Sequence, residues 1–153
     1  MTQADSGATL DFSEDEISEF EARSIALSSG DRRSALQLAD SWAVHVDKID
    51  RDRALSWTDR TVWNEYDFSA AIIIRDYLSD AMRNLVSPLS GKVLEYVANP
   101  DERYRAITVG DSGMRMAAVS RVEVSGRGWW WYRVPDSGPV LEDLARWDRF
   151  DPA

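Results

Sequence analysis

A single histidine, His45, and no cysteine stand in this 153-residue sequence. Thiol catalysis and Cys-ligated zinc therefore have no starting point, and a histidine-dependent triad has one. His45 lies at the edge of a helical stripe formed by Leu38, Trp42 and Ile49, where a packed, hydrogen-bonded imidazole is the ordinary outcome. Gly110, Asp111, Ser112 and Gly113 echo the nucleophile motif of serine proteases, yet the same four are ideal turn residues between two strands. Asp47, Asp50 and Asp52 suggest a carboxylate metal site until they are set on a helix, where about 100° per residue sends Asp47 and Asp52 apart. Asp47 with Arg51 and Lys48 with Asp52 then read as solvated i,i+4 pairs. No phosphate loop, dinucleotide fingerprint, metalloprotease helix or EF-hand loop occurs. These residues assign no catalytic group, no metal ligand and no cofactor, although an enzyme built from Asp, Glu, Arg and Tyr alone is left open.

The run Trp129, Trp130, Trp131 and Tyr132 carries more information. A strand sends alternate side chains to opposite faces, so it cannot hide three consecutive tryptophans on one. Either both faces of that strand are covered, or one of them is a binding surface.

Charge is unevenly placed. Of the net −9, most comes from Asp5, Asp11, Glu14, Asp15, Glu16, Glu19 and Glu21, which precede the first base, Arg23. Direct nucleic-acid binding is disfavoured, because the phosphate-neutralising term has the wrong sign. A basic protein partner is the charge-matched alternative. Only Lys48 and Lys92 among the bases are lysine, an arginine bias that fits a GC-rich bacterial genome. The longest apolar run, residues 70–74, is far short of the roughly 20 residues a membrane span requires, and the first ten residues lack a signal pattern. The expected setting is cytoplasmic, with no membrane association.

These residues need elements to hold them. The sequence predicts an acidic tail over 1–12 and a single domain over 13–150. Ser13 with Glu16 reads as a capping box for a first helix that Gly30 ends, with Ile17, Phe20, Ser24 and Leu27 at helical spacing. Asp31 caps a second helix to about Ala54, and residues 55–66 form a long loop whose Trp57, Trp63 and Tyr66 pack back onto the helices. Asp67 or Ser69 opens a third helix on the stripe Ala71, Ile74, Leu78, Ala81 and Leu85, which Pro88 stops.

Beyond Gly91 the period changes to two. Residues 92–98, 103–109, 114–124 and 129–134 are predicted as a four-stranded antiparallel meander, with Ala98 facing Arg103, Val109 facing Met114 and Val124 facing Trp129. A helix starting at Ser87 and Pro88, with Leu89, Val93 and Val97 inward, is the rival for the first of these strands. A short helix over residues 140–147 closes the chain. The expected fold is therefore α+β, three N-terminal helices packed on the meander with a short C-terminal helix.

One face of this sheet would carry Tyr104, Arg115, Arg121, Trp130 and Tyr132 outward, a set rich in the aromatic and arginine residues that dominate protein interfaces. The expected function is a small acidic, non-enzymatic protein-binding domain, such as an immunity protein, antitoxin or inhibitor, that occludes a basic protein. In it Glu14, Asp15, Glu16 and Glu19 steer the encounter. Two rivals are carried alongside. One is a small-molecule-binding or enzymatic domain whose pocket is lined by Tyr96, Met114, Met116, Trp129 and Trp131, and the other is an assembly subunit that buries the aromatic face in an oligomer.

Overall fold

The computed structural model describes residues 12–150, except the side chains of 149 and 150. Residues 1–11 of the tail expected over 1–12 lie outside the described residues. Phe12 is buried, with its ring edge-on to Phe20 at 5.1 Å.

The first three helices form where amphipathic stripes meet side-chain caps. Helix α1 (Glu14–Ala22) opens on the Ser13–Glu16 capping box. It ends earlier than the spacing to Leu27 predicts, because the Ser24 hydroxyl donates back to the Glu21 carbonyl at 2.8 Å and competes with the helical ladder. The chain then makes a short antiparallel ribbon, β1 (Ile25–Ala26) with β2 (Arg32–Arg33). Helix α2 (Ala35–Asp52) is capped by Ser34 with Gln37, not by Asp31, and buries Leu38, Trp42, Val46 and Ile49. Helix α3 (Glu65–Arg83) starts a turn before the predicted site. Asn64 is its cap, and Asp67 is the third residue that answers the Asn64 N–H.

The predicted meander does not form. Residues 89–106 make one helix, α4 (Leu89–Ala106), which buries Leu89, Val93, Val97, Pro100, Asp101 and Tyr104. This is the rival helix, extended through the Asn-Pro-Asp-Glu sequence that reads as a turn. The steps of four and three from Leu89 through Val93, Val97, Asp101 and Tyr104 trace one face of a helix, with Pro100 beside it. Leu94, off that face, is 62% exposed, while Val93 and Val97 are sealed. Residues 114–120 are also helical, α5 (Met114–Ser120), entered through Gly113 in the left-handed region. Of the four strands only short pieces remain. These are β3 (Thr108–Gly110) and β4 (Arg133–Pro135), paired antiparallel with Val109 opposite Val134. None of the expected facing pairs exists. Helix α6 (Pro139–Ala145) and a 3-10 turn (Arg146–Phe150) follow.

The described residues thus form six α-helices with two two-stranded ribbons, in place of helices layered on a sheet. Helix α2 packs against α3 and α4, and α3 also carries α5 and α6. Trp42, Phe68, Leu78, Tyr104, Trp131 and Leu144 are fully buried between them, each contributing roughly 1.5–3 kcal/mol of apolar burial or more. No helix among the described residues is long and apolar enough to cross a membrane.

Candidate functional site: a tryptophan, arginine and aspartate cluster

The three tryptophans are distributed by a 3-10 turn, Trp129–Tyr132. With three residues per turn, consecutive side chains leave in three directions, which resolves the crowding that a strand could not. Each indole meets a different arginine. The Arg105 guanidinium lies 3.8 Å over the Trp129 ring, Arg75 4.1 Å over Trp130, and Arg127 5.2 Å over Trp131. Each such contact contributes about 0.5–2 kcal/mol, more where it is desolvated. Trp131 is fully enclosed and Trp130 is 7% exposed. Gly128 is needed for the latter, since a Cβ there would lie 2.3 Å from the Trp130 ring.

Two carboxylates organise the donors. Asp76, half-buried on α3, accepts from Trp130 Nε1 at 2.7 Å, from Trp131 Nε1 at 2.9 and 3.0 Å, and from Arg127 Nη1 at 2.9 Å. Asp101, buried on α4, accepts from Trp42 Nε1 at 2.9 Å, and Arg75 grips it in a fork through Nε at 3.0 Å and Nη2 at 2.8 Å. The buried ion pair therefore joins α3 to α4, with α2 tied in through its indole. The third nitrogen of Arg75, Nη1, is buried without a partner, and an unmade hydrogen bond of this kind costs of order 1–3 kcal/mol.

Two open hollows flank Trp130. One, of about 400 Å³, reaches Asp76, Asp80, Arg83 and Arg127. The other, of about 340 Å³, lies toward Arg75 and Leu94.

Sequence reasoning missed Arg75, Asp76, Asp101 and Arg127. A signal for two of them was present. Arg75 stands inside the stripe of Phe68, Ala71, Ile72 and Leu78, and Asp101 stands four residues after Val97 and three before Tyr104. A charge in a buried stripe requires a buried partner.

The expected outward set does not share a surface. Trp130 is buried and Tyr104 is sealed, with its phenol donating to the Trp130 and Arg133 carbonyls at 3.2 and 3.3 Å. Burial pushes the Tyr104 hydroxyl well above its ordinary pKa. Tyr132 is half-buried and donates to the Val124 carbonyl at 2.6 Å. Arg115 forks onto Asp148 at 2.7 and 3.0 Å, and Arg121 is exposed in the left-handed conformation that ends α5. The reason is the missing sheet, which alone would have aligned them.

Of the four α1 acids expected to steer a partner, Glu14 and Asp15 are exposed with no cation paired to them among the described residues. Glu16 accepts from Lys92 at 2.5 Å and from the Ser13 amide, which hold its carboxyl below the usual range. Glu19 accepts from Arg23 at 2.6 Å.

The other chemistry-bearing residues are structural. His45 is half-buried with its ring 5.4 Å from Trp63, and burial lowers its pKa. Gly113 and its neighbours turn the chain from β3 into α5. Asp52 is buried, not solvated, where it accepts from Lys48 at 2.7 Å and from the Trp63 amide at 2.8 Å. Asp47 pairs with Arg103 of α4 and not with Arg51. No group of three potential metal ligands occurs among the described residues. The residues of the alternative pocket do not converge either. Met116 and Trp131 are sealed in the core, Met114 is 42% exposed, and Tyr96 borders a different hollow with Phe12.

No family model, curated protein or solved structure matches this chain.

Proposed function

We propose that this chain is a small acidic protein-binding domain of the cytoplasm, in the manner of an immunity protein, antitoxin or inhibitor, that occludes a basic protein partner. The observation that carries the reading is Trp57, which does not pack back onto the helices as the sequence predicts but is 72% exposed on the connection between α2 and α3. That connection is well tethered. Thr61 donates to Asp59 through its amide and hydroxyl at 2.8 and 2.6 Å, and the Trp63 amide is fixed to Asp52. Leu55 at 37% and Tyr66 at 57% exposure lie close by in sequence, so this stretch of the chain presents exposed apolar and aromatic side chains. Tryptophan and tyrosine presented this way are the usual anchors of an interface. They supply the aromatic contact that the enclosed Trp130 cannot. The net charge of −9 steers a basic partner, with Glu14, Asp15 and Glu21 the exposed acids of α1 that pair with no cation among the described residues.

Affinity capture from the host, with native and variant baits side by side, tests this. The native bait is expected to retain a basic protein. Trp57→Ala should weaken that complex about 30-fold through a faster off-rate, a typical hot-spot loss. Neutralising Glu14, Asp15 and Glu21 together should slow association about tenfold at low salt and flatten its salt dependence. A captured partner that is acidic, or one indifferent to both variants, overturns the reading.

A further inference from the structure

We infer that the hollow on the Leu94 side of Trp130 binds a small organic carboxylate with an aromatic or branched aliphatic body. This site is separate from the basic-partner surface and does not depend on it. Its polar lining is Arg75, Arg83, Ser79 and Ser90, and its apolar lining is Met82, Leu94 and Trp130. Four donors of the described residues stand there, and none of the described carboxylates does. The hollow across Trp130 has similar size but places Asp76 and Asp80 against any anion, so charge selects between the two. A volume of about 340 Å³ falls at the lower end of the range for small-molecule sites.

The second observation is Arg75 itself. At 6% exposure it is a buried cation with Nε and Nη2 committed to Asp101, while Nη1 has no partner. One more acceptor oxygen completes its fork. Arg83 supplies a second guanidinium from the rim. Its pair with Asp80 is largely exposed, and its contact to the Ser79 hydroxyl is long at 3.2 Å, so little holds it from turning to an anion. The apolar body of the ligand would cover Leu94, which is 62% exposed. Because Nη1 is buried, the carboxylate reaches it only if the side chains around it shift. Trp130, whose ring is in contact with that guanidinium, registers the shift.

Phenylacetate is a probe of this chemistry, with phenylacetamide as its neutral counterpart and inorganic phosphate as an anion without a body. In nitrogen-edited NMR titrations of the full chain, phenylacetate is expected to move the Trp130 indole N–H and the Arg75 Nε–H saturably. Phenylacetamide and phosphate should bind at least about tenfold more weakly. Arg83→Gln should weaken phenylacetate about fivefold and Leu94→Asp should abolish it, while both exposed substitutions leave the remaining spectrum in place. The inference is overturned by any of three results: no saturable movement of the two signals, equal binding of the amide or of phosphate, or native affinity in both variants.

Discussion

Asp76 answers three donors from three parts of one short segment, and that concentration makes it the most consequential single residue on α3. Trp130 and Trp131 each bring an indole N–H to it, and Arg127 brings a guanidinium. Two of these donors belong to side chains that are almost completely buried, so water cannot replace the lost acceptor without opening the core. Asp76→Ala should therefore destabilise the fold by about 2–4 kcal/mol, the range for stranding buried donors. Asp76→Asn keeps one acceptor oxygen, loses the charge and should fall about midway. Urea titration checks both through a lower midpoint with an unchanged slope. An Asp76→Ala midpoint within error of native would mean that the tryptophan turn is held by packing alone.

Helix α4 contains a residue that opposes it. Pro100 lies in its interior, where it removes a donor and crowds the preceding turn, a defect of about 3 kcal/mol in an isolated helix. Against this, the ring is buried, and a proline also restricts the unfolded chain. Pro100→Ala forfeits roughly 0.8 kcal/mol per buried methylene and a further 0.4–1 kcal/mol or so of unfolded-state restriction. The expected outcome is a net stabilisation of about 1 kcal/mol, read as a rise of a few degrees in Tm by calorimetry. A fall in Tm would show that the packing of the ring outweighs the helix defect. The same residue explains where the fold is legible in the sequence and where it is not. The cores of α1, α2 and α3 were readable because each joins an apolar stripe to a capping residue, even where the cap proved to be Ser34 for Asp31 or Asn64 for Asp67. In residues 92–98, Val93 and Val97 fit one side of a helix, while Leu94 and Tyr96 fit one side of a strand. Asn99, Pro100 and Asp101 then tilt a local reading toward a turn. What decides is non-local: Asp101 is claimed by Arg75 and Trp42, 26 and 59 residues away. The tryptophan cluster was legible only as a demand for space and acceptors, since nothing local names Asp76 as the residue that meets it.

At the scale of the molecule, peripheral segments are clamped to the helical centre by carboxylates held in the ionised form. Glu16 ties α1 to Lys92 of α4, Asp136 ties the segment before α6 to Arg53, and Asp148 ties the last turn to Arg115 of α5. In each case the cationic partner's hydrogen bond is the largest cause holding the acid below its usual value. A carboxylate depressed in the folded state contributes stability that is present above its unfolded value, near 4, and is lost as pH falls through the folded one. His45 acts in a higher window with the same overall direction. Burial disfavours its imidazolium, so the unfolded chain binds the proton more readily, and stability begins to fall as pH drops through about 6.5. Since His45 is the sole histidine, the two windows separate cleanly. Thermal unfolding should show full stability at about pH 7.5, a first decline between about pH 7 and 5.5, and a steeper one below about pH 4. His45→Gln should flatten the first decline and leave the second unchanged. Added salt should reduce the second, because these ion pairs face solvent, and leave the first, which arises from desolvation, nearly as it was. A native profile that is flat from pH 7.5 to 5.5, or a His45→Gln profile that still declines there, would place the imidazole in water and remove it from the core edge.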